Sequence, residues 1–254
     1  MRYKLVLENE QENIFPIDYP YILNSIIEKY SEPYFSSSKY DKTLLMDLFS
    51  YSPFLVKEKI IDGDNNRIKL LSKRMYWILS SPVAEHVHCC AKNLFMDKKI
   101  EICGNKLNVT GILKINEPVF EDKMKFICLS PISIVKKIIN ARKNYVYYDY
   151  NENVSPIIKN SLENKYRKVF FQDPPKSDLK IKFDHNYINK RNGRVMKLLS
   201  VVESDGFARK VKGIFAPFEI EGHLDLIRLG YYTGFGDMTQ YGLGIVDIVS
   251  NFNS

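Results

Sequence analysis

The stretch YYTGFGDMTQYGLGIVDIV, residues 231–249, holds four of the chain's twelve glycines within eleven residues. It contains two Gly-hydrophobe-Gly pairs, GFG at 234–236 and GLG at 242–244, and ends in a strand-like run. Glycine accepts positive φ and has no Cβ, so a ligand backbone can reach the amides of such a segment. The spacing matches neither the dinucleotide-binding GxGxxG motif nor the Walker loop. A helix that ends at a glycine and is followed by a turn is the alternative interpretation.

The composition indicates a globular protein. A length of 254 residues allows one large domain or two small ones, and 45% hydrophobic residues are enough for a core. Every apolar run is far shorter than the roughly 18 residues of a membrane span, and the first residues resemble a strand more than a signal peptide. We therefore expect a cytoplasmic protein with no membrane contact. The four cysteines form no CxxC pair, which predicts buried thiols, with a structural metal site as the alternative; we expect no cofactor.

The charge balance favours a polyanionic partner. The chain has 37 Lys and Arg against 30 Asp and Glu, a net charge of +7, and a pI near 9.0. The abundance of Lys, Asn and Ile is typical of an AT-rich genome, however, so the charge alone is a weak indicator of function.

Hydrophobic periodicity predicts a β-α-β-β-α-β order in the first half. We expect residues 31–42 to form a polar turn and residues 43–56 to form a strand interrupted by Pro53. The other predicted elements are strands at 2–8, 67–71, 74–80, 98–103 and 106–114, and helices at 18–30 and 81–95.

The second half repeats this order without sequence identity. It has predicted strands at 123–131, 178–184, 194–203, 207–218 and 243–252, and predicted helices at 155–171 and 221–234. The predicted fold class is therefore α+β, with two tandem ferredoxin-like domains and a C-terminal glycine-rich loop. We place the domains at 1–117 and 123–254, with a linker near 115–122.

The segment GFGDMTQYGLG (234–244) resembles the C-terminal glycine-rich loop of the CRISPR repeat-processing endoribonucleases, which belong to the repeat-associated RNA-binding superfamily. It fits their GhGxxxxxGhG motif, where h is hydrophobic, at every constrained position. FSYSPF (49–54) is similar to their F-x-x-S-P-L strand. YWILSSPVAEHVHCCAKNLF (76–95) and KGIFAPFEIEGHLDLIRLGYYTG (212–234) are similar to two of their strand-helix units. The family has two ferredoxin-like domains, which agrees with the order read from periodicity.

The resemblance implies cleavage of a CRISPR precursor RNA within its repeats, without metal. The 2′-OH beside the scissile phosphate attacks in line and leaves a 2′,3′-cyclic phosphate and a 5′-OH. Such a site needs a group that takes a proton, a group that gives one, and a cation for the charged phosphorane. The implied partner is repeat RNA, and the family also implies homodimers and subunits of a surveillance complex as partners.

The chain departs from the family at the position of its usual general base. That base is a histidine in the turn after the first helix, where this chain has YSEPYFSSSKYDK (30–42) without histidine. Tyrosine and lysine are poor bases at neutral pH unless their pKa is shifted, so we expect slow cleavage or none. A binding-only relative, a structural subunit, and a ferredoxin-like protein with an unrelated ligand remain alternatives. The candidate catalytic residues are Tyr30, Tyr34, Lys39, Tyr40 and Lys42.

Basic and glycine residues are the candidates for RNA binding, because flanks of a cut site are held mainly through phosphates. We expect one of His86 and His88 to be packed and the other exposed, His185 to lie at a surface hairpin tip, and the run at 136–143, with Arg142 and Lys143, to be a solvated face. The candidate RNA-binding residues are Lys190, Arg191, Arg194, Arg209, Lys210, Lys212, His223, Gly234, Gly236, Gly242 and Gly244.

Overall fold

The structure is a computed structural model that describes residues 1–9, 13–138, 145–202 and 208–249. None of the helices in these ranges is long and apolar enough to cross a membrane. The first half contains strands β1 (Arg2–Asn9), β2 (Asn13–Pro16), β3 (Ser50–Tyr51), β4 (Lys59–Asp62), β5 (Arg67–Leu70), β6 (Arg74–Ser80), β7 (Lys99–Ile102) and β8 (Asn105–Ile115), and helices α1 (Leu23–Phe35), α2 (Lys42–Asp47) and α3 (Ala84–Asp97).

The second half contains two small hairpins in addition to its main sheet. Its strands are β9 (Lys123–Cys128), β10 (Val135–Ile138), β11 (Tyr145–Tyr147), β12 (Lys180–Phe183), β13 (Met196–Val202), β14 (Ala208–Ile214), β15 (Phe218–Glu221) and β16 (Val246–Ile248), and its helices are α4 (Ser155–Phe170), α5 (His185–Lys190) and α6 (Leu224–Thr233). Short 3₁₀ turns lie at Tyr19–Ile22 and Thr239–Tyr241.

Strand β1 lies at the centre of the first sheet, whose order is β3-β6-β1-β8-β7 with antiparallel neighbours. Its alternate side chains Tyr3, Leu5 and Leu7 are buried, as expected for a strand with one face on the core. Helices α1 and α3 pack against each other, and α3 packs on β1 and β8. Strands β2, β5 and β4 form a separate small sheet.

The second sheet has the order β12-β15-β9-β16, again antiparallel. In both sheets the first strand lies between the third and fourth strands of a β-α-β-β-α-β unit, which is the split βαβ arrangement. The predicted α+β, ferredoxin-like fold class is therefore confirmed. Each sheet has its own buried cluster, with Trp77 in the first and Phe126 in the second. The domain boundaries at 117 and 123 stay a prediction.

Two predicted elements in the first half are wrong. The polar turn expected over 31–42 begins only after α1 ends at Phe35, and the strand expected over 43–56 is a helix, α2, followed by the two-residue strand β3. The Asp41 side chain caps α2 by accepting a hydrogen bond from the Leu44 amide at 2.9 Å. A short apolar run such as TLLMDLF fits a helix and a strand equally well, and the cap decides for the helix.

Two predictions in the second half also need correction. The strand expected over 207–218 is divided into β14 and β15, so β13 and β14 form a separate hairpin outside the second sheet. His185 is exposed as predicted, but it begins helix α5 and is not at a hairpin tip. Residues 203, 207 and 250–252 of the predicted strands, and Arg142 and Lys143 of the basic run, lie outside the described residues.

The two sheets meet at the C-terminal end of α6, where Arg2 crosses from β1 into the second half. Its guanidinium is fully buried, lies 3.3 Å from the centre of the Tyr231 ring, and donates to the carbonyls of Val246 at 2.7 Å and Tyr231. Its Nε donates to the Ser80 hydroxyl at 3.2 Å. Burial lowers the pKa of Arg2, and Tyr231 and Asp247 raise it. One side chain of the first half thus satisfies backbone acceptors of the second.

Replacing Arg2 tests whether this contact holds the halves together. We expect Arg2→Met to lower the free energy of unfolding by about 3 kcal/mol, because it leaves buried carbonyls without a donor. Arg74→Met is the matched control: Arg74 lies at the other end of the β1–β6 pair in an exposed ion pair with Glu8, which is worth about 1 kcal/mol or less. Urea unfolding of both variants measures the difference, and equal losses would contradict the assignment.

Candidate RNA-processing site

The glycine-rich loop starts where α6 ends, at Gly234, and returns to β16. Its glycines have φ values of +76° at Gly242 and +75° at Gly244, a region that other residues rarely adopt. A Cβ at Gly242 would overlap the Tyr51 ring, and one at Gly244 would overlap the Phe235 carbonyl oxygen. All four glycines of the loop are buried. Close packing between the two halves therefore requires glycine here.

Backbone amides of the loop donate to carbonyls within the protein. The Phe235 amide donates to Gly244 at 2.9 Å, the Asp237 amide to Ser133 at 2.7 Å, and the Gly244 amide to Pro131 at 2.8 Å. The Gly242 amide donates to Thr239 at 3.0 Å within the 3₁₀ turn. In this structure these four amides are therefore paired with carbonyls of the protein. An RNA contact of Gly234, Gly236, Gly242 or Gly244 stays a prediction.

A buried lysine forms hydrogen bonds to the glycine-rich loop and to the helix end before it. Lys165 of α4 is 6% exposed, and its ammonium donates to the Thr233 carbonyl at 3.4 Å and the Thr239 hydroxyl at 3.3 Å. Burial lowers its pKa to about 8, against the opposing effects of Asp47 and Asp237. Lys165 therefore joins the end of α6 to the 3₁₀ turn of the loop, and it does so with a charge that is costly to bury.

An open cleft of about 890 Å³ lies where this turn faces the first half. Its walls come from α1, α2, the end of α4, Val202 of β13, and the 3₁₀ turn, which contributes Gln240 and Tyr241. Lys42 is half exposed in the cleft and forms an ion pair with Glu28 at 3.1 Å. Lys168 forms a second ion pair, with Asp47 at 3.1 Å. Both halves thus contribute charged side chains to one cleft.

One of the five predicted catalytic residues lines this cleft, and two others precede it in the same segment. Lys42 lines it. Tyr40, two residues earlier, has its ring parallel to that of Phe171, with 6.0 Å between ring centres and 7° between planes. The Lys39 ammonium lies 5.2 Å from the centre of the Tyr40 ring. Residues 39–42, at the start of α2, therefore carry two cations and an aromatic ring.

The other two predicted catalytic residues are set apart from it. Tyr30 is buried and donates its hydroxyl to Asp97 of α3, and burial together with Asp97 raises its pKa. It lies two residues beyond Glu28 on α1 and so faces away from the cleft. Tyr34 stacks on His86, with 5.4 Å between ring centres, and burial raises its pKa. A direct role of Tyr30 or Tyr34 in chemistry remains untested.

All four histidines lie in the described part of the chain, and none of them lines the cleft. His86 is fully buried among Tyr34, Phe35 and Phe49, and this burial lowers its pKa to about 4. His88 is exposed and contacts the Tyr3 hydroxyl at 2.7 Å. The expectation of one packed and one exposed histidine is confirmed.

His223, a candidate RNA-binding residue, lies at the end of α6 that is remote from the glycine-rich loop. It caps the start of α6 by accepting a hydrogen bond from the Asp225 amide at 3.3 Å. The loop follows the other end of this helix of 10 residues, roughly 15 Å away. A phosphate held by the loop would therefore be out of its direct reach.

The basic residues of the β13–β14 hairpin divide between two faces. Lys210 and Lys212 are exposed on its outer face, and Lys210 donates to the Ser200 hydroxyl at 2.6 Å. Arg209 is buried on the inner face, beside Val211, which packs with Leu243 of the glycine-rich loop. Strand β14 therefore lies beside the loop. Lys190, Arg191 and Arg194 are exposed around the end of α5, and all these RNA contacts stay predictions.

Sequence reasoning missed the contributions of α4 and of the 3₁₀ turn to the site. Lys165 lies seven residues after Ile158 and three after Leu162, both buried, so helical periodicity places it on the core face of α4. A lysine in a core position was the available signal. No comparable pattern marks Lys168, Gln240 or Tyr241, because their place in the cleft depends on how the halves pack.

The two split βαβ sheets, which meet at a buried glycine-rich loop, define a protein of ferredoxin-like fold. The sequence model of the family described as "CRISPR associated protein Cas6, C-terminal" matches residues 115–248, which is more than half of the chain. The chain belongs to the Cas6 family.

Relatives support this assignment over the whole length. A protein of Methanocaldococcus jannaschii named "CRISPR-associated endoribonuclease Cas6 1" is 25% identical over 260 residues, which cover 100% of this chain and 94% of the relative. The solved structure of a Cas6-related protein from Pyrococcus furiosus has a TM-score of 0.81 at 20% identity and covers 99% of both chains. A structure described as "An RAMP protein binding different RNA substrates" also has a TM-score of 0.81, at 21% identity, covering 98% of this chain and 100% of the other. The structural likenesses show the fold.

The buried amine of Lys165 predicts a pH dependence of stability. Its pKa of about 8 in the folded chain lies below the usual 10.5, so the unfolded chain binds the extra proton between these values. Stability should therefore rise with pH across this window. Relative to Lys165→Met, the free energy of unfolding should increase by up to about 3 kcal/mol between pH 8 and 10.5.

Urea unfolding at a series of pH values measures this difference. Lys168→Met is the matched control, because its exposed side chain, one turn later on the same helix, already contacts water in the folded chain. Parallel stability curves for the wild type and Lys165→Met would show that the amine is not buried as described.

Proposed function

We propose that this chain is a metal-independent endoribonuclease that cuts CRISPR precursor RNA within its repeats to give mature guide RNA. The observation that supports this most directly is the cleft in which Lys42 of the first half faces Gln240 and Tyr241 of the glycine-rich loop. The Methanocaldococcus jannaschii relative is named as an endoribonuclease of this kind. The reaction is attack of the 2′-OH on the adjacent phosphate, which yields 2′,3′-cyclic phosphate and 5′-OH ends.

Lys42 is the residue proposed to stabilise the phosphorane. Its amine is half exposed, so a phosphate can reach it, and its ion pair with Glu28 orients it in the free protein. As RNA enters, a non-bridging phosphate oxygen would replace Glu28 as its partner. A cation fixed at the point where negative charge develops lowers the barrier to reaction.

The β13–β14 hairpin is proposed to hold the RNA strand on its way to the cleft. Val202 at the end of β13 lines the cleft itself, and Lys210 and Lys212 on β14 face solvent. The inner face of the hairpin packs on the glycine-rich loop, so the two lysines have a fixed position relative to Lys42. Lysine contacts of this type bind phosphates without reading sequence.

A binding-only relative is the second candidate function. It is favoured by the cleft's composition, because none of the four histidines lines it and His86 is enclosed by aromatic rings. A site with lysine but no imidazole has a cation for phosphate but lacks the usual group for proton transfer at neutral pH. Such a protein would bind repeat RNA tightly and release no product.

Cleavage of repeat RNA in EDTA separates these two functions. We expect a single cut that leaves a 2′,3′-cyclic phosphate, and Lys42→Met should slow it about 100-fold because a donor to the transition state is lost. Binding of an RNA with a 2′-deoxy nucleotide at the cut should change much less, as for a transition-state contact. Single-turnover rates and the dissociation constant are the two measurements.

Lys99→Met is the control for Lys42→Met. Lys99 is exposed on β7, at the opposite edge of the first sheet from β3, and β3 contacts the 3₁₀ turn. Four strand spacings separate these edges by roughly 19 Å, so this variant should cut at the wild-type rate. Equal losses of rate and binding in Lys42→Met would mean that Lys42 only holds RNA. Tight wild-type binding without any cut would favour the binding-only function.

Removal of the two hairpin lysines should change the salt dependence of RNA binding. Replacing both Lys210 and Lys212 by alanine should weaken RNA binding and reduce the slope of log K against log salt by about 1.4, the value for two phosphate contacts on a single strand. The double variant of Lys99 and Lys106, on the β7–β8 hairpin, removes the same charge from exposed positions. If both double variants change the slope equally, the β13–β14 hairpin has no specific role.

A further inference from the structure

Phe171 is an exposed aromatic residue in a costly backbone conformation. Its side chain is 71% exposed, and its φ of +55° ends α4 in the left-handed region. A residue other than glycine adopts this region only when its surroundings or its function require it. Because most of its ring contacts solvent, packing in the core does not explain its presence.

Tyr40 of the first half lies parallel to this ring. The two planes are within 7° of each other, with 6.0 Å between ring centres. The pair bridges the two halves and leaves Phe171 with an open aromatic surface. Nucleobases stack on surfaces of this kind in proteins that bind single-stranded nucleic acid.

Basic residues precede both members of the pair in the chain. The Lys39 ammonium lies 5.2 Å from the centre of the Tyr40 ring. Arg167 and Lys168, on the last turn of α4 before Phe171, are exposed. An aromatic surface flanked by basic side chains fits a base together with the phosphates on either side of it.

Both members of the pair are close in sequence to residues that line the cleft. Tyr40 precedes Lys42 by two residues, and Lys168, three residues before Phe171, lines the cleft. The ion pair between Lys168 and Asp47 holds the end of α4 against α2. A strand whose phosphate lies at Lys42 would therefore pass within a few nucleotides of the aromatic pair.

We propose that Tyr40 and Phe171 form a stacking platform for one unpaired nucleobase of the RNA, close to the cut site. This inference rests on the proposed function and adds to it a position at which the RNA must be single-stranded. It assigns Tyr40 a role through its ring, whereas an acid or base would act through its hydroxyl. Phe171 is the main contact because its ring is the more exposed of the two.

The test measures binding of repeat RNAs that carry a 2′-deoxy nucleotide at the cut and a single abasic site at successive positions. In the wild type, one abasic position should weaken binding about tenfold. Phe171→Leu keeps an apolar side chain but has no aromatic face, so it should bind intact RNA about tenfold more weakly than the wild type. The abasic site at that position should then cause no further loss of binding by this variant. Phe95→Leu, an exposed phenylalanine on α3, is the matched control.

Each outcome decides the inference. If Phe171→Leu binds repeat RNA as tightly as the wild type, the platform is wrong. If the wild-type protein from the same preparation still cleaves the RNA, the proposed function stands without the platform. A uniform loss at every abasic position would mean that Phe171 only braces the two halves, and it also overturns the platform. If the wild type binds no repeat RNA, both the platform and the proposed function fail. Coupling of Phe171→Leu to a single abasic position supports the platform.

Discussion

The backbone carbonyls at the end of α6 impose the constraint on which the rest of the structure depends. The last carbonyls of any helix lack partners within it, and here that end is buried between the two sheets. Arg2 donates to the carbonyl of Tyr231, Ser50 and Ser80 donate to that of Tyr232, and Lys165 donates to that of Thr233. The donors come from β1, β3, β6 and α4. One helix end therefore fixes how both halves and the loop meet, and two of its donors are cations, as the helix dipole favours.

This constraint determines what the glycine-rich loop can offer a ligand. Because the loop leaves a buried helix end, its glycines face inward, and several of its amides donate to nearby carbonyls. The part of the loop that lines the cleft is the 3₁₀ turn, through Gln240 and Tyr241. Lys165 stabilises this turn by a hydrogen bond to the Thr239 hydroxyl. The glycine-rich motif thus acts through its packing, which positions the side chains of the 3₁₀ turn. Burying the charge of Lys165 beneath the loop is unfavourable in free energy.

The sequence allowed the fold to be predicted because element order alone specifies the split βαβ pairing, and the GFG and GLG pairs fixed the last connection. It did not reveal α2, since an apolar run of seven residues fits two periods and only the cap at Asp41 distinguishes them. Among the candidate catalytic residues, Lys39, Tyr40 and Lys42 lie close together because they share one segment of the chain. Tyr30 and Tyr34 are nearby in sequence, but helical geometry turns them toward α3. Lys168 and Phe171 depend on tertiary packing, which no local pattern encodes.

The cleft's chemistry relates the two candidate functions to each other. A lysine attracts a phosphate in the ground state and in the transition state, and binding that is equal in both adds affinity without adding rate. Imidazole would supply proton transfer, which acts only in the transition state, but the buried imidazole of His86 is held neutral among aromatic rings. In the proposed endoribonuclease, Lys42 would therefore contribute to catalysis by aligning the 2′-OH with the phosphate. In the binding-only alternative the same contact would hold the RNA without a cut, so the two candidate functions differ in proton transfer and share the phosphate contact.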